Sequence, residues 1–411
     1  MRTRHRLTRL LAASVAAATA AIGFATVPAA QAADPPGKPD MDVRFATFNA
    51  SLNRNAAGQL VADLSTPANA QAQAVAEIIQ RTSPDVLLVN EFDYDEGGVA
   101  AELFRDNYLE VSQNGADPVH YPYSFVAPSN TGVPSGFDLN NNGVVGGPDD
   151  AYGFGFFPGQ YGMVVYSKYP IDDGAVRTFQ HFLWKDMPGN LMPTEFYSPE
   201  EQAVLRLSSK SHWDVPVSIG ERTVHFLVSH PTPPTFDGAE DRNGRRNNDE
   251  IRFWADYIAS PTRSAYIYDD AGGTGGLEPG SLFVIAGDQN SDPNDGDSVE
   301  GSIEALLGHP KVNTSVTPSS EGAVEASLLQ GGANLSHTGN PAHDTADFND
   351  NPAPGNLRAD YVLPSASLRI LDAAVFWPVQ ADPLSRLTGT FPFPSSDHRL
   401  VWVDVRLPHH R

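Results

Sequence analysis

The sequence predicts an α/β protein in which β-sheets stack on one another and carry helices on their outer faces. Short β-branched, apolar runs alternate with helix-patterned segments and then give way to a strand-rich C-terminal part. Several of the apolar runs end abruptly in polar residues, as buried strands do when they deliver side chains at their ends. The chain also contains no cysteine, which excludes disulfides, thiol catalysis and cysteine–zinc sites.

The elements follow in chain order. Residues 1–33 read as a signal peptide: Arg2, Arg4, Arg6 and Arg9 precede an Ala-rich apolar stretch, and Ala30-Gln31-Ala32 has the form of a cleavage site. Secretion is therefore expected. Residues 34–41 form a leader, and 42–411 the folded domain. Val43–Asn49 alternates as a strand. The segment from Ala68 to Arg81 has helical spacing, and Ser83-Pro84 stops it. Asp85–Asn90 is a buried strand followed by Glu91. Residues 112–160 are a long Gly-, Pro- and Asn-rich insertion. Met163–Tyr166 and Val224–Ser229 are strands, the second ending at His230. The segment from Asp249 to Ile258 is helical, and Ser281–Ala286 is a strand that runs into Gly287-Asp288-Gln289-Asn290. Residues 331–356 form a second long insertion, and the late strands are Tyr361–Leu363 and Leu400–Val405. Loops of this length are commonly functional.

The formal charge is −23, and removal of residues 1–33 makes the chain more acidic still. Such a chain repels polyphosphate backbones at long range, so phosphate chemistry would need metal ions or local arginines. No later stretch is long and apolar enough to cross a bilayer, and no protein partner is evident.

The polar strand ends form an ordered set: Asn49, Asn90-Glu91, His230, Asp288 with Asn290, Asp360, and Asp397-His398. Singly, each is as readily a turn residue. Together with their flanking strings (VRFATFNASL from 43, PDVLLVNEFD from 84, YGMVVYSKYPI from 161, HFLVSHPTPP from 225, VIAGDQNSDP from 284, RADYVLPS from 358, SSDHRLVWVDV from 395) they resemble the endonuclease/exonuclease/phosphatase superfamily, the DNase I-like fold of nucleases, sphingomyelinases and inositol phosphate phosphatases. The resemblance spans nearly the whole chain after the leader. It implies a four-layer sandwich of two mixed β-sheets flanked by helices. It also implies roles: Glu91 as ligand of Mg²⁺ or Mn²⁺, with Asn49 and Asp397 beside the metal; Asp288 as the water-activating carboxylate; Asn290 as a donor to phosphate or water; His230 and His398 on the phosphoryl oxygens; Asp360 as the partner of His398. Each side chain has the matching chemistry, since carboxylates suit hard divalent cations and a carboxylate beside an imidazole favours its charged form. One departure concerns His230. Some nucleases of this group support that histidine with a carboxylate, where this chain has Gly159-Gln160-Tyr161.

Two local features stand outside this set. Residues Asp138 to Asp149 match EF-hand loop spacing, with Asp138, Asn140 and Asn142 at positions 1, 3 and 5, Gly143 at 6, Val144 at 7 and Asp149 at 12, which predicts a structural Ca²⁺ site. Arg245 and Arg246, in the densest basic string, are candidate phosphate ligands, against the plainer reading of a solvated loop that opens the helix near 249. The expected activity is metal-dependent hydrolysis of a phosphate mono- or diester, of a small or accessible substrate rather than duplex DNA. An extracellular nuclease acting on nucleic acid is the alternative. A non-catalytic binding protein on the same scaffold is a weaker one, because binding alone needs no water-activating Asp288. A lipid-headgroup enzyme would expose an apolar hairpin. The aromatic run from Tyr152 to Phe157 is the one segment that could serve, and it reads instead as core or pocket lining.

Overall fold

The computed structural model describes residues 41–408, so the expected signal peptide and all of the leader but its last residue lie outside the described residues. The strands are β1 (Met41–Leu52), β2 (Val86–Phe92), β3 (Tyr123–Phe125), β4 (Met163–Ser167), β5 (Arg177–Thr178), β6 (His212–Ile219), β7 (Arg222–Ser229), β8 (Leu282–Asp288), β9 (Ala346–Asp347), β10 (Asn356–Leu357), β11 (Asp360–Pro364), β12 (Arg369–Val375) and β13 (Val401–Leu407). The helices are α1 (Gln59–Leu64), α2 (Ala70–Thr82), α3 (Val99–Phe104), α4 (Pro199–Val204), α5 (Arg242–Ala259), α6 (Glu304–Leu307) and α7 (Glu321–Gln330).

Two mixed sheets form the body. One runs β12-β13-β1-β2-β4-β3 and the other β11-β8-β7-β6-β5; the pairs β1/β2 and β7/β8 are parallel and the rest antiparallel. Alternation along the strands decides which face each residue joins. Val43, Phe45, Val86, Leu88, Val224, Phe226, Val228, Val284 and Ala286 form one cluster between the sheets. Ala46, Phe48, Leu87 and Val89 point the other way, against Val75, Ile78 and Ile79 of α2 and Phe104 of α3. Leu227, Phe283 and Ile285 likewise meet Ile251, Trp254 and Ile258 of α5. The result is the four-layer arrangement, with each fully buried aliphatic or aromatic side chain contributing about 1.5–3 kcal/mol to its cohesion.

Local signals account for several boundaries. Asn69 caps α2 by accepting from the Ala72 N–H at 3.0 Å, and Ser83 ends it in the left-handed conformation just before Pro84. A Ser198–Glu201 capping box opens α4. The strand β6 is absent from the sequence reading because Pro216 interrupts it. The structure accommodates that proline at the side of the sheet where β5 has already ended. The helix expected from 249 begins at Arg242, so the basic string lies in its first turns rather than in a loop.

Candidate active site

The same alternation builds the site. Inward-facing Phe45, Leu88, Val228, Ala286 and Val362 place Asn49, Asn90, His230, Asp288 and Asp360 on the inner faces, where the core ends. Register brings them side by side. Asn49 lies opposite Asn90 and Asp360 opposite Asp288, while the Val228–Ala286 pairing sets His230 beside Asp288 two residues on. The β7/β8 approach depends on Gly287, whose φ is +148° and where a Cβ would lie 2.0 Å from the Ser229 carbonyl oxygen.

Past the ladder the backbone turns sharply. Glu91 and Asn290 adopt φ of +56° and +50°, costing about 1–2 kcal/mol each for non-glycine residues. Glu91 thereby leaves the alternation of β2 at the register shift where pairing with β1 jumps from Asn49–Asn90 to Leu52–Phe92. The Asn290 N–H donates to Asp288 Oδ1 at 2.9 Å, and its amide donates to the Pro231 carbonyl at 3.1 Å, so Asn290 joins the loops after β7 and β8.

Asp288 is the hub. Its Oδ2 accepts from Asn49 Nδ2 at 3.0 Å and lies 3.3 Å from His230 Nε2 and 3.6 Å from His398 Nε2. His398 Nδ1 is 2.8 Å from Asp360 Oδ2, which also accepts from the Thr345 hydroxyl at 2.8 Å. Phe348 packs edge-on against the His398 ring. The Asn49 amide reaches Glu91 Oε1 at 3.1 Å with the same nitrogen that holds Asp288. Asp397 Oδ1 accepts from Ser51 at 3.2 Å, and buried Arg399 fixes its turn through the Ser396 and His398 carbonyls and Asp347.

Electrostatics divides these groups. Burial pushes Glu91 up to about 7, and nearby Asp397 adds to the effect. Burial would raise Asp288 too, but the charge of His398 and contact with His230 hold it below the usual carboxylate range. Burial would lower His398, yet Asp360 and Asp288 raise it well above its ordinary value. Burial takes His230 down to about 4, helped by the charge of Lys210. An ionised Asp288 thus sits between a neutral and a charged imidazole, a division of protonation states suited to acid–base work.

A divalent cation fits the Glu91–Asp397 side. Burial and then the charge of Asp397 raise the proton affinity of Glu91, and hard oxygen ligands of this kind suit Mg²⁺ or Mn²⁺. Asn49, expected beside the metal, here turns its amide N–H toward both Glu91 and Asp288 while its oxygen accepts from the Ser51 N–H. Among the described residues the one compact acid–histidine group is Asp288, Asp360 and His398. These three could also hold a cation, although here Asp360 is paired with His398 Nδ1 at 2.8 Å.

Other expectations change. Arg246 does not face a phosphate: its guanidinium donates to the carbonyls of Tyr152, Arg206, Leu207 and Ser208 and is spent on holding those chain segments. Arg245 is half-buried on the same helix and lies in the field of Asp241. Gln160 does not support His230; it accepts from the Phe156 N–H and donates to the Arg54 carbonyl. Among the described residues His230 Nδ1 has no hydrogen-bond partner, and Asp288 holds the ring through Nε2. The 138–149 loop folds on itself, with Asp138 accepting from the Asn142 and Gly143 N–H groups, Asn140 from Asn142, and Asn142 from Val144, while Asp149 is exposed. Buried Asp150, not Asp149, closes it by accepting from Leu139 and Gly146. Phe154 and Phe156 are 50% and 65% exposed, against the expectation of core; Phe156 does line a cavity of about 290 Å³ with Gly132, Val145 and Asp150. No described helix is long and apolar enough to cross a membrane.

The model of the endonuclease/exonuclease/phosphatase family matches residues 46–398, and the chain belongs to that family, whose members are generally metal-dependent phosphoester hydrolases. A search of the curated proteins finds no match. Solved structures similar to this chain include an endonuclease/exonuclease/phosphatase from Beutenbergia cavernae (18% identity, TM-score 0.49, covering 89% of this chain and 72% of that one). Sphingomyelinase C from Streptomyces griseocarneus is similar at 13% identity and TM-score 0.45, over 89% of this chain and 99% of that one. TDP2 from Caenorhabditis elegans is similar at 16% identity and TM-score 0.41, over 89% and 98%. These likenesses are distant, and the functional reading rests on family membership and on this chain's own residues.

Proposed function

We propose that this protein is a secreted, divalent-metal-dependent phosphoesterase acting on a small or accessible phosphate mono- or diester. The observation that carries the reading is the connected set Glu91–Asn49–Asp288, with His230 and the Asp360–His398 pair converging on Asp288 Oδ2. Glu91 and Asp397 would hold Mg²⁺ or Mn²⁺, which neutralises charge on the phosphoryl oxygens. Asp288, kept ionised, accepts the proton of an attacking water. His398, kept charged, donates to a phosphoryl oxygen as negative charge grows there, and Asp360 maintains that charge. Neutral His230 holds Asp288 from the other side, and Asn290 ties the two loops so that the water and phosphate approach one fixed carboxylate. A chain of charge −23 favours a compact ester over a polyanion, so a nuclease acting on nucleic acid is the second reading.

The test is hydrolysis of bis(p-nitrophenyl) phosphate and p-nitrophenyl phosphate by the purified protein with Mg²⁺ or Mn²⁺, repeated with Asp288→Ala and His398→Ala. Activity lost in both variants supports the assignment; activity kept in both rejects it. We also propose Ca²⁺ as a structural ion in the 138–149 loop, supported by side-chain oxygens placed at EF-hand offsets. Calorimetric titration showing no Ca²⁺ uptake sinks that part alone.

A further inference from the structure

Lysine is among the residues least often found inside a protein, yet Lys210 is only 7% exposed. Its position is fixed from both sides. The Ser209 N–H donates to Glu250 Oε1 at 2.6 Å, and the Asn130 N–H donates to the Lys210 carbonyl at 2.9 Å. Glu250, on α5, also accepts from the Thr232 N–H through its other oxygen at 2.7 Å, so one carboxylate ties the chain beside Lys210 to the chain beside His230. The ammonium itself makes no hydrogen bond or ion pair with any described residue. The acids whose charge it feels are Glu250, Glu91 and Asp288, and its own charge lowers the proton affinity of His230. Glu250 is the strongest of these charges, and Glu91 and Asp288 of the site follow it.

A nearly buried lysine whose ammonium donors are not taken up by neighbouring residues is available to an anionic ligand. A lysine kept for structure would be hydrogen-bonded, as Arg246 is to four carbonyls. The site also lacks positive charge on this side, because His230 is neutral while His398 is charged on the other.

We propose that Lys210 is a substrate-binding residue whose ammonium takes a non-bridging oxygen of the phosphoryl group on the His230 side of Asp288. This rests on the phosphoesterase reading and deepens it: the ester would be held by two protein cations from opposite sides, Lys210 and His398, with Asp288 between them. Lysine acts here as a point charge that accommodates rotation of the phosphoryl group, unlike an arginine fork that demands one plane.

The experiment compares the wild-type chain with Lys210→Met, which keeps the length and apolar stem, and Lys210→Arg, which keeps the charge. Hydrolysis of bis(p-nitrophenyl) phosphate and affinity for inorganic phosphate are both measured with Mg²⁺ present, alongside the melting temperature. The expected result for Lys210→Met is a loss of about a hundredfold in kcat/KM, the scale of removing one oxyanion-type contact. Phosphate affinity should weaken by about tenfold or more, with no fall in melting temperature, and Lys210→Arg should recover part of the phosphate affinity. The inference is overturned if Lys210→Met binds phosphate as the wild type does, or if activity is lost only in step with a large fall in melting temperature that Lys210→Arg repairs without regaining phosphate affinity. If the wild type hydrolyses no ester, the phosphoesterase reading falls and phosphate binding still judges Lys210. Binding by the wild type but not by Lys210→Met supports an anion site there; equal binding, or none by either, rejects it.

Discussion

His230 and His398 both present Nε2 to Asp288 Oδ2, at 3.3 and 3.6 Å, but their other nitrogens meet opposite surroundings. His398 Nδ1 rests on Asp360, itself braced by Thr345, while His230 Nδ1 meets no hydrogen-bond partner and lies in the field of Lys210. Burial is nearly complete for both rings, so desolvation alone would leave both neutral. A single carboxylate therefore decides which of the two carries charge. The comparison teaches that the asymmetry of this site is electrostatic rather than geometric.

The largest test removes what the two rings share. Asp288→Ala should lower kcat/KM by about a thousandfold or more on a simple diester, since general-base assistance and the anchor of both rings vanish together. A variant retaining a tenth of the activity would falsify the hub assignment. Next comes the difference between the rings. His398→Ala should cost about ten times more than His230→Ala, because only His398 brings charge to the phosphoryl oxygens. Equal losses would dissolve the comparison.

Asp360→Asn should then convert His398 toward the state of His230, with a loss of about 10–100-fold, the usual cost of removing a partner that orients a functional imidazole. Its sign in pH is definite. Asp360 raises His398, so without it the ring gives up its proton at lower pH, and the alkaline fall of the pH–rate profile should begin earlier. Glu91 tests the metal side. In the folded, cation-free protein it is protonated below about 7, so a cation must displace that proton as pH falls. Mg²⁺ affinity measured by calorimetry should be about tenfold weaker at about pH 6 than at about pH 8, and the difference should disappear in Glu91→Gln. The smallest effect on chemistry is expected of Arg246→Ala. Stranding buried carbonyls should cost about 2–4 kcal/mol in a denaturant melt, while KM of the folded enzyme stays within about twofold.

Much of this was legible in the chain because buried strands and polar ends contrast sharply. Asn49, His230 and Asp288 each follow an apolar, alternating run whose period of two carries them onto an inner face, while Asp360 opens such a run, His398 precedes one, and Glu91 leaves the alternation through its positive φ. What stayed hidden depends on contacts across long separations. Lys210 lies in Ser208-Ser209-Lys210-Ser211, a string with no apolar pattern to mark it as buried, and its backbone is held by Glu250 and Asn130 from distant parts of the chain. Thr345 sits in a long insertion with no pattern to mark it. Arg246 has the same local sequence whether it points to phosphate or to four carbonyls, and Asn49 the same whether it turns oxygen or nitrogen toward Glu91. The exposure of Phe154 and Phe156 likewise runs against their residue type.

Glu250 couples the outer helical layer to the reacting centre. By gripping Ser209 and Thr232 at once it makes the segments bearing Lys210 and His230 one rigid piece, and α5 their common mount. The two long insertions share that mount. Arg246 of α5 and the Lys210 carbonyl hold Tyr152 and Asn130 of the 112–160 insertion, and Thr345 and Phe348 of the 331–356 insertion rest against Asp360 and His398. A change of ester choice written into either loop would therefore also retune the machinery that breaks the bond.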